Sequence, residues 1–227
     1  MKVVISVGGS VLAPDLEPDR VADYAAAIQS LDEAGHTMGA VVGGGPTARE
    51  YIGTARELGA NEIELDQLGI AVTRLNGRLL IAALDDRAVP TPAESYETGR
   101  EAIRRGDIPV LGGIVAAQTT DAVAAAFAEY VNADLLVYAT SVNGVYSADP
   151  ESDTEATRFD QLTAGELVDI IADMEMNAGS SAPVDLLAAK VIERSDIRTI
   201  VLDGTDPQRV VDAVQNDEFD GTEILEA

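Results

Sequence analysis

The chain contains no cysteine, a single histidine and only two lysines, Lys2 and Lys190. Without cysteine it has no disulfide, no thiolate nucleophile and no cysteine-bound metal. His36 alone cannot supply a histidine-rich metal centre or a credible Ser-His-Asp triad, and it reads as a strand-edge residue rather than a general base. No Gly-Lys-Ser/Thr occurs, so there is no Walker A loop. No apolar run approaches the roughly 18 residues that a membrane helix needs. Met1-Lys2 leads straight into a strand-like segment, with none of the regions of a secretory signal. The expected location is the cytoplasm, with no membrane partner.

Positive charge is also scarce. Forty acidic residues against fifteen basic ones give a formal net charge of −25, which turns electrostatic steering away from nucleic acid. The carboxylates are spread along the chain and interleaved with apolar periodicity, so they describe a solvated surface rather than a disordered tail. Excess carboxylate with little lysine resembles proteins from a salt-loaded cytoplasm, and folding is expected to need molar salt to screen self-repulsion.

What the sequence does have is glycine at strand ends. Val41-Val-Gly-Gly-Gly45 runs into Pro46-Thr-Ala-Arg49, an apolar strand that turns on three glycines into a helix opened by proline. Glycine admits φ > 0 and close approach to the main chain, and the helix start adds free N–H groups and a positive dipole end. Val3-Val-Ile-Ser-Val-Gly-Gly-Ser10 repeats the pattern, and Pro109-Val-Leu-Gly-Gly113 followed by Thr119-Thr-Asp121 gives it again. Three such turns can line the carboxyl edge of a parallel sheet, where open α/β sheets bind ligands. Phosphate-rich substrates are the leading expectation.

Strand-like and helix-like segments alternate along the whole chain, which predicts a mainly parallel sheet covered on both faces, with right-handed crossovers. The apolar spacing predicts a long helix whose first turn carries Asp66. Pro90 and Pro92 interrupt the chain, 108–111 reads as a strand, and 114–120 must be a loop. A helix begins at Asp121 or Ala122, with Thr119, Thr120 and Asp121 all suited to cap it. Arg158 and Phe159 suggest a small strand, Thr163-Ala-Gly-Glu166 has capping-box spacing, Gly179-Ser-Ser181 reads as a turn, and Lys190 falls on a helix.

Gly43 to Ala48 also satisfies Gly-x-Gly-x-x-Ala, but a dinucleotide fold wants its acidic residue at the tip of the next strand, and Asp66 begins a helix instead. The segments together resemble the amino acid kinase family, and within it the archaeal uridylate kinases. The matching pieces are Val7-Gly-Gly-Ser-Val-Leu12, Val41-Val-Gly-Gly-Gly45 with Ala48-Arg49, Gly112-Gly113 with Thr119-Thr-Asp-Ala-Val-Ala124, Thr140 with Gly144-Val-Tyr146 and Ala148-Asp-Pro150, Ala178-Gly-Ser-Ser181, and Ala188-Ala-Lys190.

The resemblance implies one domain over 1–227, an α/β three-layer αβα sandwich around a mainly parallel eight-stranded sheet. Its acceptor-binding part is about 1–130 and its ATP-binding part about 131–227. It implies transfer of the γ-phosphoryl group of ATP to UMP, with Mg2+ carried by the ATP, no dedicated metal site, and assembly as a homohexamer. By the family pattern Gly9, Ser10, Gly45, Arg49, Thr140, Tyr146 and Asp149 contact ATP. Gly44, Asp66, Ile114, Val115, Ala116, Ala117, Gln118, Thr119 and Thr120 contact UMP. Lys190 acts at the transferring phosphate, and Asp121 either orients cations there or is a plain N-cap. Relatives often have lysine where Ser6 stands, and a different loop where Ile114-Val-Ala-Ala-Gln118 stands. Carbamate, acetylglutamate and isopentenyl phosphate therefore stay open as acceptors, as does a non-catalytic nucleotide-binding role; a dehydrogenase is more distant.

Overall fold

The strands are short runs of β-branched and small apolar residues: β1 (Lys2–Val7), β2 (Thr37–Val42), β3 (Val110–Leu111), β4 (Leu135–Thr140), β5 (Gln161–Thr163), β6 (Thr199–Asp203) and β7 (Gly221–Leu225). The structure, a computed structural model, describes residues 1–84, 86–150, 153–175 and 184–225. Among these, one sheet has the order β3-β2-β1-β4-β6-β7-β5. β1, β2, β3, β4 and β6 are mutually parallel, β7 is antiparallel to β6, and β5 is parallel to β7.

Alternate strand residues enter different cores, as the two-residue side-chain period requires. Val3, Ile5 and Val7 of β1 with Leu135, Val137 and Ala139 of β4 face one side, while Val4, Leu136 and Tyr138 face the other. Both sides are apolar because helices cover both. α2 (Pro18–Glu33), the end of α4 (Glu62–Ala83) and α9 (Gln208–Gln215) close the first core. α5 (Tyr96–Arg105), α6 (Thr120–Val131), α7 (Ala164–Glu175) and α8 (Leu186–Ser195) close the second. The expected αβα layering is what the chain adopts.

Several local expectations are corrected. The sheet has seven strands among the described residues rather than eight. Beside β3 the chain makes only isolated parallel bridges, Ala88 with Ile108 and Ala93 with Leu111. Pro90 and Pro92 lie between them and have no N–H, so Val89 and Ala93 supply the bonds, to the Ile108 and Val110 carbonyls at 3.0 and 2.8 Å. α4 starts at Glu62, because Asn61 and Glu64 form a reciprocal capping box at 3.2 and 2.8 Å. Asp66 is thus in its second turn, not its first. α6 starts at Thr120, since the Thr119 hydroxyl accepts the Ala122 N–H at 3.1 Å; Asp121 lies inside the first turn and is not the cap. Arg158 makes a single bridge to Tyr146 and the small strand comes later, at β5. Thr163 and Glu166 do cap each other at the start of α7. The turn expected at 179–181, with Ala178, lies outside the described residues.

This winding positions the site. From β1 the chain moves outward through β2 to β3, then returns to pair β4 on the other side of β1. The crevice beyond the carboxyl ends of β1 and β4 is therefore the topological switch point, the usual ligand position in open α/β sheets.

Candidate active site

Two glycine turns meet at that crevice. After β1, Gly8 donates its N–H to the Ala139 carbonyl of β4 at 3.0 Å, and after β2, Gly43 donates to the Val7 carbonyl at 2.9 Å. A Cβ on Gly9 would lie 2.2 Å from the Gly45 nitrogen, and one on Gly45 would lie 2.4 Å from the Gly9 carbonyl carbon. Gly45 also has φ +63°, so both steric room and backbone conformation require glycine. The stacked turns form one wall of a cleft of about 370 Å³, into which Gly9, Ser10, Gly44 and Gly45 open. The N-termini of α3 (Gly45–Glu57) and α6 adjoin it, and their free N–H groups favour an anion. Arg49, on the second turn of α3, is exposed, lines the same cleft and has no ion pair among the described residues.

Asp121 and Thr120, from the first turn of α6, also line the cleft. Burial and then the neighbouring charge of Asp185 push the Asp121 carboxyl up to about 7, against a hydrogen bond from the Ser6 hydroxyl that favours the ionised form. The Tyr138 hydroxyl donates to the Asp121 backbone carbonyl at 2.8 Å. Asp185 is itself the N-cap of α8, accepting the Ala188 N–H at 2.9 Å, and its other oxygen accepts from the Thr119 hydroxyl. Thr119 thus caps α6 while clasping α8, and the two carboxylates are held near each other.

The far wall comes from the end of β4. The Thr140 hydroxyl donates to the Val142 carbonyl at 2.8 Å and accepts the Val142 N–H at 3.1 Å. The turn continues past Gly144, whose φ of +137° suits no side chain, to Tyr146, whose hydroxyl donates to the Asn143 side chain. Thr140, Tyr146 and the buried Asp149 all line the cleft.

Other expected site residues lie apart from this cavity. Asp66, on α4, accepts the Ala117 N–H at 2.7 Å, tying down the 114–118 loop at a residue with φ +64°. Val115, Ala117, Gln118 and Thr119 are exposed, while Ile114 and Ala116 are half-buried. Gln118 accepts a 3.5 Å hydrogen bond from Tyr96. Lys190 is exposed on α8 and paired with Glu193 at 3.0 Å, and it is not among the residues lining the cleft. His36 precedes β2, well outside this wall; burial lowers its pKa.

Ser6, noted in the sequence only for the lysine it replaces, and two side chains the sequence reading did not single out, Thr73 and Asn76, also shape the site. Ser6, 4% exposed, sits on β1 beneath Asp121. Thr73 and Asn76, 6% and 3% exposed on α4, bond the glycine turns directly. Their signal was available: two polar residues, three apart, inside the apolar stripe of a long helix. For metal, the described residues hold no cluster of three or more His, Cys, Asp or Glu side chains that could grip an ion.

The comparisons with known proteins agree with this geometry. The sequence profile of the amino acid kinase family matches residues 1–203. The chain is 83% identical over 225 residues to a uridylate kinase of Haloarcula marismortui, covering 99% of each. It is 69% identical to a uridylate kinase of Halobacterium salinarum, over 99% of this chain and 93% of the relative. Among solved structures, a uridylate kinase from Archaeoglobus fulgidus matches with TM-score 0.87 and 44% identity, covering 99% of this chain and all of that one. With its profile matched over most of its length and its two glycine turns stacked at the switch point of the sheet, the chain belongs to the amino acid kinase family.

Proposed function

We propose that this chain is a uridylate kinase that transfers the γ-phosphoryl group of ATP to UMP, giving ADP and UDP. The observation that carries the proposal is the backbone contact between the Gly8-Gly9-Ser10 and Gly43-Gly44-Gly45 turns, which brings two sets of main-chain N–H donors to one cleft. The names and coverage of the haloarchaeal relatives support the acceptor. The second pKa of a phosphate monoester is about 6, so UMP presents an ionised nucleophile at neutral pH. No general base is required, and catalysis reduces to alignment and charge neutralisation.

In this account Gly9, Ser10 and Gly45 bind the ATP phosphates, and Arg49 neutralises phosphate charge at the point of transfer. Thr140, Tyr146 and Asp149 hold the ATP base and ribose. Gly44, Asp66 and the loop from Ile114 through Thr120 take UMP. Asp121, with its carboxyl near 7, can stand neutral beside a polyphosphate or ionise when a cation adjoins it. Lys190 reaches the transferring phosphoryl group by exchanging its Glu193 partner for phosphate oxygens.

Mg2+ fits this site as an ion carried by the nucleotide: hard oxygen donors such as Asp121 and Ser10 face the cleft, while a multi-carboxylate cage is missing from the described residues. When bound it neutralises phosphate oxygens. Tyr51 on α3, Leu58 just beyond it, and Leu75 and Leu79 on α4 are exposed; exposed apolar side chains support self-association, and the assembly proposed is a homohexamer. A cytoplasmic location is part of the same proposal; no described helix is long and apolar enough to cross a membrane. Incubation with Mg-ATP and UMP in molar KCl tests the function: UDP should form in equal amount to ADP, and ADP without UDP would overturn the proposal.

A further inference from the structure

Among the buried polar residues, Thr73 and Asn76 stand about one turn apart on the same face of α4. Asn76 donates from its amide nitrogen to the Gly43 carbonyl at 2.9 Å and to the Gly44 carbonyl at 3.2 Å. Both partners are carbonyls, so the amide orientation is fixed by its neighbours. In a planar trans peptide the C=O of one residue and the N–H of the next point in opposite directions. Pinning the Gly43 and Gly44 carbonyls against α4 therefore sends the Gly44 and Gly45 N–H groups away from the helix, on the side where the turn lines the cleft.

Thr73 does the converse for the other segment. Its hydroxyl accepts the Gly113 N–H at 2.7 Å while donating to the Ile70 carbonyl at 2.7 Å. A Cβ on Gly112 would lie 2.5 Å from that hydroxyl, and one on Gly44 would have the Thr73 methyl at 3.5 Å, so this one side chain bonds the second segment and lies beside the first. The neighbouring Arg74 donates to the Gly113 carbonyl at 3.3 Å, and Asp66 holds the Ala117 N–H at 2.7 Å. A single helix thus grips the Gly43-Gly44-Gly45 turn and the start of the 114–120 loop.

We propose that Thr73 and Asn76 are positioning residues: from the buried face of α4 they aim the glycine-turn N–H groups and fix the spacing between the phosphate-binding turn and the acceptor loop. The inference rests on the assignment of ATP and UMP to these two segments. Removing hydrogen bonds to buried carbonyls leaves them unsatisfied as well as misaimed, at about 1 kcal/mol or more each, so effects near tenfold are expected.

The test is a kinetic and equilibrium comparison of Asn76→Leu, Thr73→Val and Thr73→Ser in molar KCl, with melting curves for each. Asn76→Leu should weaken both Mg-ATP and UMP binding by about tenfold. Thr73→Val should raise the KM for UMP by about tenfold while leaving that for ATP within about twofold, and Thr73→Ser should restore it. A merely structural role would lower the melting temperature and the active fraction with KM and Kd unmoved, and that result overturns the inference. Should Asn76→Leu fail to fold, the split between ATP and UMP in Thr73→Val decides alone. Should the wild type bind Mg-ATP but not turn over UMP, the functional assignment falls, while an ATP Kd unchanged in folded Asn76→Leu separately rejects the role of Asn76.

Discussion

Gly9→Ala is the sharpest perturbation of the stacked turns. The added methyl would lie 2.2 Å from the Gly45 nitrogen, 2.5 Å from the Gly44 carbonyl carbon and 2.6 Å from that of Gly43. Comfortable contact begins near about 3.5 Å, so the turns must part by roughly 1 Å. None of the three atoms belongs to a flexible side chain. The turn opposite is anchored by the Gly43 bond to Val7 at 2.9 Å and by Asn76 at 2.9 Å. Overpacking of about 1–3 kcal/mol plus the weakening of one or two such bonds at about 1 kcal/mol each gives a cost of about 2–5 kcal/mol. For a chain of this size that is a fall in melting temperature of about 10 °C, and misplacement of about 1 Å at a reacting centre costs about a hundredfold in rate. Gly53→Ala is the control. It lies within α3, an added Cβ meets nothing within 4 Å, and it should stabilise by about 0.5–1 kcal/mol. Unfolding curves and steady-state rates in molar KCl on both variants check this; a Gly9→Ala enzyme with normal stability and normal kcat/KM would refute the reasoning.

Three further outcomes follow from the same structure. A carboxyl held at about 7 when folded and near 3.9 when unfolded binds its proton more tightly in the native state. Its contribution is fully present below about pH 4 and is lost as pH rises through about 7. Asp121→Asn should therefore flatten the fall in melting temperature between pH 5 and pH 8, by an amount on the order of a few kcal/mol, while reducing turnover; parallel curves for the two proteins would count against it. Lys190→Ala should lower kcat at least about tenfold with little change in melting, because Lys190 is exposed and its pairing with Glu193 is a surface contact; an unchanged kcat removes it from the mechanism. Finally, with a net charge of −25, the melting temperature should climb between low and molar KCl as repulsion is screened, and a flat response in a thermal melt would contradict this.

The glycine turns were legible because their cause is local: an apolar strand, then residues without Cβ, then a helix start. That they stack on one another was not legible, since it depends on β1 and β2 pairing in register with Val7 opposite Val42. The alternation of elements predicted the three layers, but not the edge, where the segment around Pro90 and Pro92, read only as an interruption, makes isolated bridges to the 108–111 segment. Asn61 and Glu64 carried a capping signal that moves the start of α4 earlier and places Asp66 in its second turn. Choosing among Thr119, Thr120 and Asp121 as the cap of α6 required the Ala122 N–H to be seen on the Thr119 hydroxyl. The clasp between Thr119 and Asp185 joins residues 66 positions apart, and no local pattern announces it. Thr73 and Asn76 did carry a signal, polar residues inside the apolar stripe of α4, but which backbone groups they bond depends on long-range contacts that no local pattern shows.

The most direct measurement is ADP release from Mg-ATP in molar KCl, with UMP, CMP, dUMP, carbamate, acetylglutamate and isopentenyl phosphate offered in parallel to one preparation of folded protein. The account expects turnover with UMP and far slower release with carbamate, acetylglutamate and isopentenyl phosphate. Preferred turnover of one of those three, or silence on all six from protein that still binds ATP, would contradict it.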